Sequence, residues 1–520
     1  MTAAVIAAEV SPEVARIDFW LRRFFVSVKE LANRICSRKC RLIFALAVLC
    51  LAGAPVLCQD RAIELRPEIP QTQTPLTLVG AVALAEKNFP RLLQGQAEVR
   101  AAKKEVTVQK IREYNPSSML SYQDVVGSHN RLTQTLFSSP VLPSTPGPGV
   151  EKVEMRAQAY SGSGFIIDWA PIDFGLHKAR IGKAKAEFGL ANARYSATLL
   201  DVTVEAASRY LEALVMHEQV RVAQSNVQRF ADFSKVVHAQ VDAGLKAAAD
   251  ASLADSQLAN ARNDLIRANL SEDLARAALG YIVGLGGNMV EIDAAGIIDE
   301  TEPADTQKAA PVFQHHPLAL TGKAVVNTNV ARRRILDKEY YPTFRWLGGV
   351  NLRGTTFNNN RGDVETPNVS GIFPVVPNWN VGLVVDLPFF DIIRIRAEKK
   401  VVAEQIRAAE HAYDLIIQGL RTEDTQARAR LRAAVQLAAN MPIQVDAAQM
   451  AAQQAQARYE AGLATVAQVA EANQILADSR VKLAVANVGV WRALLDVASV
   501  HGNLQPFLTE AQRVSKGSKR

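Results

Sequence analysis

Two long segments of the chain carry the heptad pattern of coiled-coil helices. The first, residues 175–243, contains no proline, so we predict one helix that spans roughly 100 Å. Eleven of thirteen seam positions in its latter part are apolar, and the seam runs Leu199, Val202, Ala206, Arg209, Ala213, Met216, Val220, Ala223, Val227, Phe230, Ser234, Val237, Val241. A helix this long cannot bury itself in a globular core, so it must pack along other helices.

The second long helix is predicted over residues 391–460, where the seam is stricter. Its positions are Leu431, Ala434, Ala438, Met441, Val445, Ala448, Ala452, Ala455 and Tyr459. Alanine fills many of them, and the whole chain is 48% hydrophobic but only 6% aromatic. Small seam residues let helix backbones approach closely, so composition and spacing indicate long helices in close bundles rather than a bulky mixed core.

Four shorter segments show strand-like patterns, namely residues 117–127, 155–169, 343–357 and 378–388. In the last, Trp379, Val381 and Leu383 face one way, opposed by Asn380 and Gly382. Segments of about ten residues with one apolar and one polar face are typical of transmembrane β-strands. A soluble β-hairpin would alternate in the same way. The secretory leader at the start of the chain, the repetition of the strand pairs and the flanking helices favour a membrane barrel.

The predicted elements occur in the same order twice, which indicates an internal duplication. The triplet Ala243-Gly244-Leu245 after the first long helix recurs 218 residues later as Ala461-Gly462-Leu463. Pro171 and Pro388, which we expect to close the paired strands, are 217 residues apart. Matched landmarks at a nearly constant offset are hard to obtain by chance.

Each Ala-Gly-Leu triplet predicts the turn of a helical hairpin. Glycine readily adopts the left-handed conformation that ends a helix, so Gly244 and Gly462 are predicted caps. Leu245 and Leu463 would then lie at turns that offer no local burial. A repeated, exposed leucine at the far tip of a hairpin is a candidate docking surface. The alternative interpretation is that each triplet is a simple turn with no binding role.

The first 58 residues resemble a secretory leader with an unusual extension over residues 1–37. Residues 38–41 are basic and precede a short apolar run that ends in small residues, the pattern of a signal peptide. We predict cleavage after Ala54 or Cys58, and lipidation of Cys58 is an alternative. All four cysteines lie in this region, which excludes disulfides and cysteine-ligated metals after it. No later run of 18 apolar residues occurs, so no further spanning helix is predicted.

These features divide the chain into predicted regions. Residues 1–58 are the extension and signal peptide, 59–75 a linker, 76–314 the first repeat, 315–508 the second repeat and 509–520 a basic tail. The first repeat contains a helix, strands 117–127 and 155–169, the long helix 175–243, a helix over 246–280 and a connector. The second contains a helix over 317–341, strands 343–357 and 378–388, the long helix 391–460 and a helix over 464–499.

Charge and motifs exclude two functional classes. Residues 1–58 carry eight basic and four acidic residues, so the net charge of +7 becomes 7 − 4 = +3 without them. No clustered basic face with aromatic residues remains, so we predict no nucleic-acid binding. No nucleophile elbow, phosphate loop or metal-ligand spacing occurs, and the glycine-rich segment 284–287 follows a helix rather than a strand. We therefore predict no enzymatic activity, catalytic residue, metal or cofactor.

In the order of its motifs the chain resembles the TolC-like outer-membrane efflux proteins over about residues 75–508. The segments that carry the resemblance are Leu76-Thr77-Leu78, Asn88-Phe89-Pro90, Trp169-Ala170-Pro171-Ile172-Asp173-Phe174-Gly175, Tyr210, Asp250 and the two Ala-Gly-Leu turns. Pro171, Asp173 and Gly175 mark the first exit from strand to helix. The second exit, with Pro388 and Asp391, lacks the usual glycine, which is expected to alter its bend.

The resemblance implies a homotrimeric α+β membrane protein in the cell outer membrane. Each chain would give four strands to one shared transmembrane β-barrel in lipid and long coiled-coil helices to a periplasmic α-barrel. It would be the channel of a tripartite efflux pump or type I secretion system, a passive conduit for small molecules or proteins. Its partners would be a periplasmic membrane fusion adaptor, received at the tips, and an inner-membrane transporter of RND, ABC or MFS type.

Members of the resembled family carry two acidic residues at the periplasmic entrance, on the helix after the second tip. The matching positions are Gln468 and Glu471, which lie three residues apart and so share a helix face. In a trimer Glu471 would form a ring of carboxylates that favours cations. Gln468 departs from the pattern, and the arginine that latches some members would fall at Ala464. An ordinary solvated residue is the alternative interpretation of Glu471.

The main alternative function is a periplasmic coiled-coil adaptor anchored by an uncleaved leader. An adaptor of this kind would account for export and for the long helices. It would not account for duplicated strands that place Trp346 and Trp379 on apolar faces.

Overall fold

The structure, a computed structural model, describes residues 75–128, 157–293, 297–298, 312–355 and 372–517. The chain divides into two compact units, Met1–Pro70 and Gln71–Arg520, and the described residues belong to the second. The predicted signal peptide, Cys58 and nearly all of the predicted linker therefore lie outside the described residues.

The order helix, two strands, long helix and shorter helix occurs twice along the described chain. In order they are α1 (Leu78–Asn88), α2 (Pro90–Tyr114), β1 (Ser117–Ser128), β2 (Ala157–Ile172), α3 (Leu176–Asp242), α4 (Ala248–Ile282), a short 3-10 helix (Phe313–His315), α5 (Pro317–Leu336), β3 (Thr343–Thr355), β4 (Val376–Asp386), α6 (Asp391–Glu460), α7 (Val466–Val500) and α8 (Gln505–Gly517). The two long helices, α3 and α6, contain 67 and 70 residues, close to the lengths that the heptad pattern predicts.

The four strands form one antiparallel sheet in the order β1-β2-β3-β4. Its register places Leu120, Phe165, Val350 and Trp379 side by side in one row. Because side chains alternate across a strand, these residues share one face of the sheet, and all four are exposed. The sheet therefore presents an uncovered apolar face.

Arg345 lies on the opposite face and joins three of the strands. Its Nε donates to Asp168 Oδ1 in β2 at 3.2 Å, and its Nη1 lies 3.4 Å from Asp386 Oδ2 in β4. One guanidinium between two carboxylates favours a single register of β2, β3 and β4. The charged group also agrees with the predicted polar character of this face.

The ends of two predicted strands need correction. Pro171 does not close a strand, because β2 continues through it to Ile172, and the pairing with β3 is irregular between Trp169 and Ile172. Such an irregularity accommodates a residue that cannot donate a ladder hydrogen bond. In the second repeat the strand spans Val376–Asp386 rather than residues 378–388, so Pro388 follows the strand.

Helix ends also differ from the predicted bounds. The helix predicted over residues 317–341 ends at Leu336, because turns occupy the residues before Pro342, and the residue before a proline disfavours helix. α7 begins at Val466 instead of residue 464, since the Thr465 side chain accepts from the Gln468 N–H and caps the helix. α4 begins and ends two residues later than predicted.

The prediction of a basic tail over residues 509–520 did not include the helix that the structure shows there. Most of it belongs to α8, in which Phe507, Ala511 and Val514 are buried. These residues join the largest apolar core, where the Trp491 and Phe507 rings meet edge to face at 6.0 Å. The basic residues of this segment therefore lie on a helix that packs against the main apolar core.

The main core also holds the connector between the repeats. The hydroxyl of Tyr210 in α3 donates to the Asp293 carbonyl at 2.7 Å, and Leu76 forms a parallel β-bridge with Ile292. Tyr210 is fully buried. The hydrogen bond holds the segment after α4 against the middle of the long helix α3, and the bridge holds the segment before α1 against that segment.

One described helix, α7, is long and apolar enough to cross a membrane by length and composition alone. The sequence analysis predicts no spanning helix there. More than half of its apolar window is buried within the protein, and Val488, Trp491 and Leu495 belong to the main core. Core helices pass the same test, so packing accounts for the apolar composition of α7.

Candidate functional sites: the hairpin tips and the strand exits

Both long helices end in the same capped turn. At the first tip Gly244 has φ +75°, and the Leu245 N–H donates to the Gln240 carbonyl at 2.8 Å. At the second, Gly462 has φ +77°, and the Leu463 N–H donates to the Arg458 carbonyl at 2.7 Å. This bond, with glycine in the left-handed region, is the Schellman motif. The two Ala-Gly-Leu triplets therefore form equivalent turns.

The leucines of the two tips are exposed. A third leucine in the same kind of turn, Leu285, is buried. Leu245 is 73% exposed and Leu463 is 70% exposed. Leu285 follows Gly284 in a turn with the same hydrogen bond, to the Gly280 carbonyl at 2.8 Å, yet it is 3% exposed. The turn itself thus does not force the leucine outward, and the position of the two tips leaves both leucines uncovered.

A small apolar core near the tips joins the two helical hairpins. It consists of Phe233, Val237, Ala251, Ala254, Tyr459, Val466 and Val469. The rings of Phe233 and Tyr459 lie 5.1 Å apart, and Lys246 Nζ lies 4.9 Å from the Tyr459 ring centre. Burial raises the pKa of Tyr459, and the Asp250 carboxylate raises it further. Residues of α3, α4, α6 and α7 therefore meet in one cluster.

The predicted entrance residues lie at the start of α7. Gln468 is exposed, and its Oε1 accepts from the Thr465 N–H at 3.1 Å as part of a capping box. Glu471, one turn later, is exposed and makes no ion pair with another described residue. Ala464 packs against the tip core. Gln468 thus has a local structural role, whereas the Glu471 carboxylate projects from the surface of the chain.

At the first strand exit, Asp173 lies just before the long helix α3, which begins at Leu176. Its carboxylate accepts from the Gly175 N–H at 3.1 Å and from the His177 N–H, which satisfies amides that the first helical turn leaves unpaired. Phe174 and Gly175 have φ of +51° and +97°. The usual glycine thus takes the left-handed conformation that turns the chain from strand into helix.

The second strand exit is built differently. Phe390 precedes α6 without a side-chain cap, and Asp391 is the first helical residue. The Asp391 carboxylate pairs with Arg394, whose Nε lies 3.2 Å away. Phe389 and Phe390 are exposed, and their rings meet edge to face at 5.2 Å. The missing glycine therefore coincides with the loss of the cap and with two uncovered phenylalanines.

The sequence analysis missed two further groups at the first exit. His177 in α3 is paired with the buried Glu113 of α2 through Nδ1, and its Nε2 lies 2.8 Å from the Ala170 carbonyl. Burial alone would lower the pKa of His177, but the Ala170 carbonyl, Glu113 and Asp173 together raise it. Glu113 and His177 are 64 residues apart, so no local pattern in the sequence indicates their contact.

These features have counterparts in known proteins. Residues 156–285 and 320–503 match the outer membrane efflux protein family. Protein CyaE of Bordetella pertussis is 25% identical over 268 residues, which are 50% of this chain and 52% of that protein. The chain thus matches about half of the length of this relative.

Solved structures share the fold at low sequence identity. The Campylobacter jejuni CmeC outer membrane channel matches with a TM-score of 0.66 and 14% identity, over 87% of this chain and 94% of that one. The open state of the Neisseria gonorrhoeae MtrE outer membrane channel matches with a TM-score of 0.63 and 14% identity, over 82% and 89%. The family match covers more than half of the sequence, in both halves, and the chain therefore belongs to the outer membrane efflux protein family.

Proposed function

We propose that the chain is one subunit of a homotrimeric outer-membrane channel, a passive conduit that exports small molecules or proteins. The observation that carries the proposal is the four-stranded sheet, which has an exposed apolar face and two edges, β1 and β4, that pair with no other described strand. Lipid does not tolerate unpaired strand edges. Four strands are too few to enclose a pore, so several copies must pool their strands in one barrel.

The helices supply the part of the conduit outside the membrane. Each strand is joined to a helix at one of its ends, β1 and β3 to the helix before them and β2 and β4 to the helix after them, so the proposed barrel wall leads into a wall of helices. At about 1.5 Å per residue, the 70 residues of α6 span about 105 Å. We assign these helices to a hollow periplasmic stalk that ends at the two tips.

The tips are the proposed receiving surface for a periplasmic membrane fusion adaptor. Leu245 and Leu463 are exposed leucines on rigid, equivalent turns, and exposed apolar groups of this kind favour protein contacts. The adaptor would couple the channel to an inner-membrane transporter of RND, ABC or MFS type. Glu471, which follows the second tip, would line the entrance of the conduit.

The alternative, a periplasmic adaptor with an uncleaved leader, is not favoured. It does not explain an amphipathic sheet whose apolar face is uncovered. Membership of a family of channels likewise argues against an enzyme.

Fractionation and conductance test the proposal together. The full chain, expressed in a Gram-negative host, should appear in the outer membrane as trimers that dissociate on heating in detergent. Purified trimers should form ion-conducting pores in planar lipid bilayers. A water-soluble monomer, or a monomer in the inner membrane, would contradict the proposal and would favour the adaptor.

A further inference from the structure

The four junctions between strand and helix lie at one end of the sheet. β1 and β3 begin at this end and β2 and β4 finish there, because the sheet is antiparallel in the order β1-β2-β3-β4. Three contacts hold the neighbouring helices at one level, and they join Glu113 to Arg180 at 3.4 Å, the rings of Phe174 and Tyr341 at 5.6 Å, and Asp337 to Lys399 at 2.7 Å. The ends of α2 and α5 and the starts of α3 and α6 therefore form one layer beside the sheet.

Basic residues are concentrated in this layer. We define the basic collar as residues 103–114, 176–187, 330–341 and 391–402, twelve residues at each junction. Each segment contains four lysines or arginines, and the collar as a whole has sixteen basic and seven acidic residues. The rest of the chain has 59 − 16 = 43 basic and 52 − 7 = 45 acidic residues. The whole positive surplus of the chain therefore lies in the collar.

The far end of the same helices has the opposite charge. Residues 232–255 and 450–473, which surround the two tips and are equal in number to the collar, contain three basic and six acidic residues. Positive charge is therefore a property of the end next to the sheet. The sequence analysis found no basic cluster because each collar segment alone has a surplus of only two or three charges, and only the fold brings the four segments together.

Most of the basic side chains in the collar point into solvent without an internal partner. Eleven are exposed and make no ion pair with another described residue, namely Lys103, Lys104, Lys110, Arg112, Lys178, Lys185, Arg332, Arg333, Arg334, Arg396 and Lys400. Four others pair with described acidic residues, namely Arg180, Lys183, Arg394 and Lys399. Like charges at this density repel one another, so an anionic partner outside the chain is favourable.

Two tryptophans indicate where the membrane surface lies relative to the collar. Trp169 and Trp346 are directly paired on the apolar face of the sheet, and both are exposed. Tryptophan is enriched at the boundary between hydrocarbon and headgroups. Trp346 lies three residues from Thr343, where β3 begins, a distance of about 10 Å at about 3.3 Å per residue. Headgroups at the level of these tryptophans therefore lie close to the first turns of the collar helices.

We infer that the basic collar binds the phosphate groups of anionic phospholipids in the adjacent membrane leaflet. The inference rests on the proposed function, which puts the apolar face of the sheet in the outer membrane. Lysine and arginine beside an anionic leaflet are attracted to it within about a Debye length, roughly 8–10 Å at physiological salt. A bilayer presents many headgroups at once, which suits charges spread over four helices. Each subunit thus gathers acidic lipid around the helix end of its sheet.

Quenching of tryptophan fluorescence tests this inference, since Trp169 and Trp346 report on the lipid beside the collar. Wild-type trimers of the full chain are reconstituted in phosphatidylcholine vesicles that contain the same fraction of brominated phosphatidylglycerol or brominated phosphatidylcholine. At low salt, the brominated phosphatidylglycerol should quench as if enriched roughly twofold or more around the protein. Most of this excess should disappear at about 1 M salt, where the Debye length is about 3 Å. Soluble phosphate at constant ionic strength should not remove it.

A charge-neutral collar variant assigns the effect to these residues. Arg333→Gln, Arg334→Gln, Arg396→Gln and Lys400→Gln together remove four exposed positive charges and should abolish most of the excess quenching.

The matched control removes the same charge outside the collar. It combines Arg262→Gln, Arg421→Gln, Arg432→Gln and Lys482→Gln, all at exposed residues without an ion pair to another described residue. Arg421 lies nineteen residues beyond the collar, about 28 Å along α6. The control should keep the preference of the wild type for brominated phosphatidylglycerol.

The outcomes separate this inference from the proposed function. Equal quenching of wild-type trimers by the two brominated lipids would overturn the inference, whether or not the variants assemble, and would leave the channel intact. An excess that persists in the collar variant, or that soluble phosphate removes, would contradict it as well. A wild-type protein that remains monomeric in detergent would instead overturn the proposed function.

Discussion

At the residue scale, the pKa values of two histidines, the buried His316 and the half-buried His177, are shifted in opposite directions. The His316 ring caps α5, since its Nδ1 accepts from the Leu318 N–H at 3.1 Å while Nε2 lies 3.1 Å from the Ser499 carbonyl. A protonated ring has no lone pair for this cap. Burial lowers the pKa of His316, against the opposing effects of the Ser499 carbonyl, Glu423 and Asp201. His177, in contrast, has a raised pKa.

We expect the replacement His316→Asn to remove part of the acid sensitivity of folding. A lowered folded pKa means that the stabilisation by His316 is fully present above about pH 6.5 and is lost as the pH falls through the folded pKa. The loss should approach about 1 kcal/mol, a typical N-cap contribution, and asparagine retains a cap that does not titrate. Thermal unfolding in detergent between pH 7 and pH 5 measures the effect.

The adjacent His315 is exposed and provides the matched control. His315→Asn keeps the His316 cap and should retain the loss of stability in acid that the cap predicts. His177 acts in the opposite direction, since its raised pKa means that its stabilisation is complete below about pH 6.5 and is lost at higher pH. It is unchanged in both variants, so its contribution cancels when they are compared. An unchanged acid slope in His316→Asn would contradict the assignment.

At the proposed entrance, we expect Glu471→Gln to reduce the preference of the channel for cations. A ring of carboxylates attracts cations at a constriction, and the effect falls with ionic strength. Reversal potentials in a salt gradient across planar bilayers measure it. Glu460→Gln removes an exposed acid that precedes the second tip and should have the smaller effect. Equal selectivity of wild type and Glu471→Gln would show that Glu471 is an ordinary solvated residue.

At the scale of elements, the sequence was informative where the structure depends on local periodicity. The seams predicted α3 and α6, and the glycine triplets predicted the turns that end them. The helix α8 could have been predicted, since Phe507, Ala511 and Val514 recur at helical intervals. The interpretation of this segment considered only its basic charges. The pairing of Glu113 with His177 joins residues distant in sequence, and only the packed structure brings them together.

The two strand exits make a direct comparison of helix capping. Asp173→Ala should destabilise the protein by about 1 kcal/mol, because it removes hydrogen bonds to two amides at the start of α3. Asp391→Ala should cost clearly less, since Asp391 makes an exposed ion pair and caps no amide. Denaturant unfolding in detergent measures both. Equal costs would contradict the asymmetry between the exits.

The same substitution should have opposite signs at two glycines of α6 and its tip. Gly462→Ala forces a side chain into the left-handed region and should cost about 1 kcal/mol. Gly419 lies within α6, where an added methyl group meets nothing within 4 Å. Gly419→Ala should therefore stabilise the helix by about 0.5–1 kcal/mol. Thermal unfolding of the two variants checks the contrast, which a shift of the same sign would refute.

At the scale of the whole molecule, the sequence predicted one four-stranded unit attached to long helices, and family membership agrees with that outline. It did not predict which residues lie opposite one another in the sheet, because neighbouring strands such as β2 and β3 are distant in sequence and no local periodicity reports their register. Assembly is thus the property that sequence reasoning approached through resemblance alone.

Coupling to an adaptor is the function that the tips should control. Leu245→Ser with Leu463→Ser should strongly reduce export in cells while trimer level and bilayer conductance stay unchanged, because both leucines are exposed. Leu285→Ser is the contrasting variant, since burying a hydroxyl in the core should cost roughly 3 kcal/mol and lower the amount of folded protein. Normal export by the tip variant would exclude the leucines from docking.

In the proposed trimer, the open sides of the sheet would also govern how the protein matures. Among the described strands, β1 and β4 each have one edge that pairs with no other strand, and in the proposed barrel such edges are satisfied when subunits meet. The rate at which subunits meet depends on their concentration, so dilution prolongs the time during which the strand edges stay unpaired. Ring closure ends it, whereas a head-to-tail row that misses closure keeps growing as a filament. The edges that would build the proposed barrel wall therefore make a low subunit concentration a hazard during synthesis.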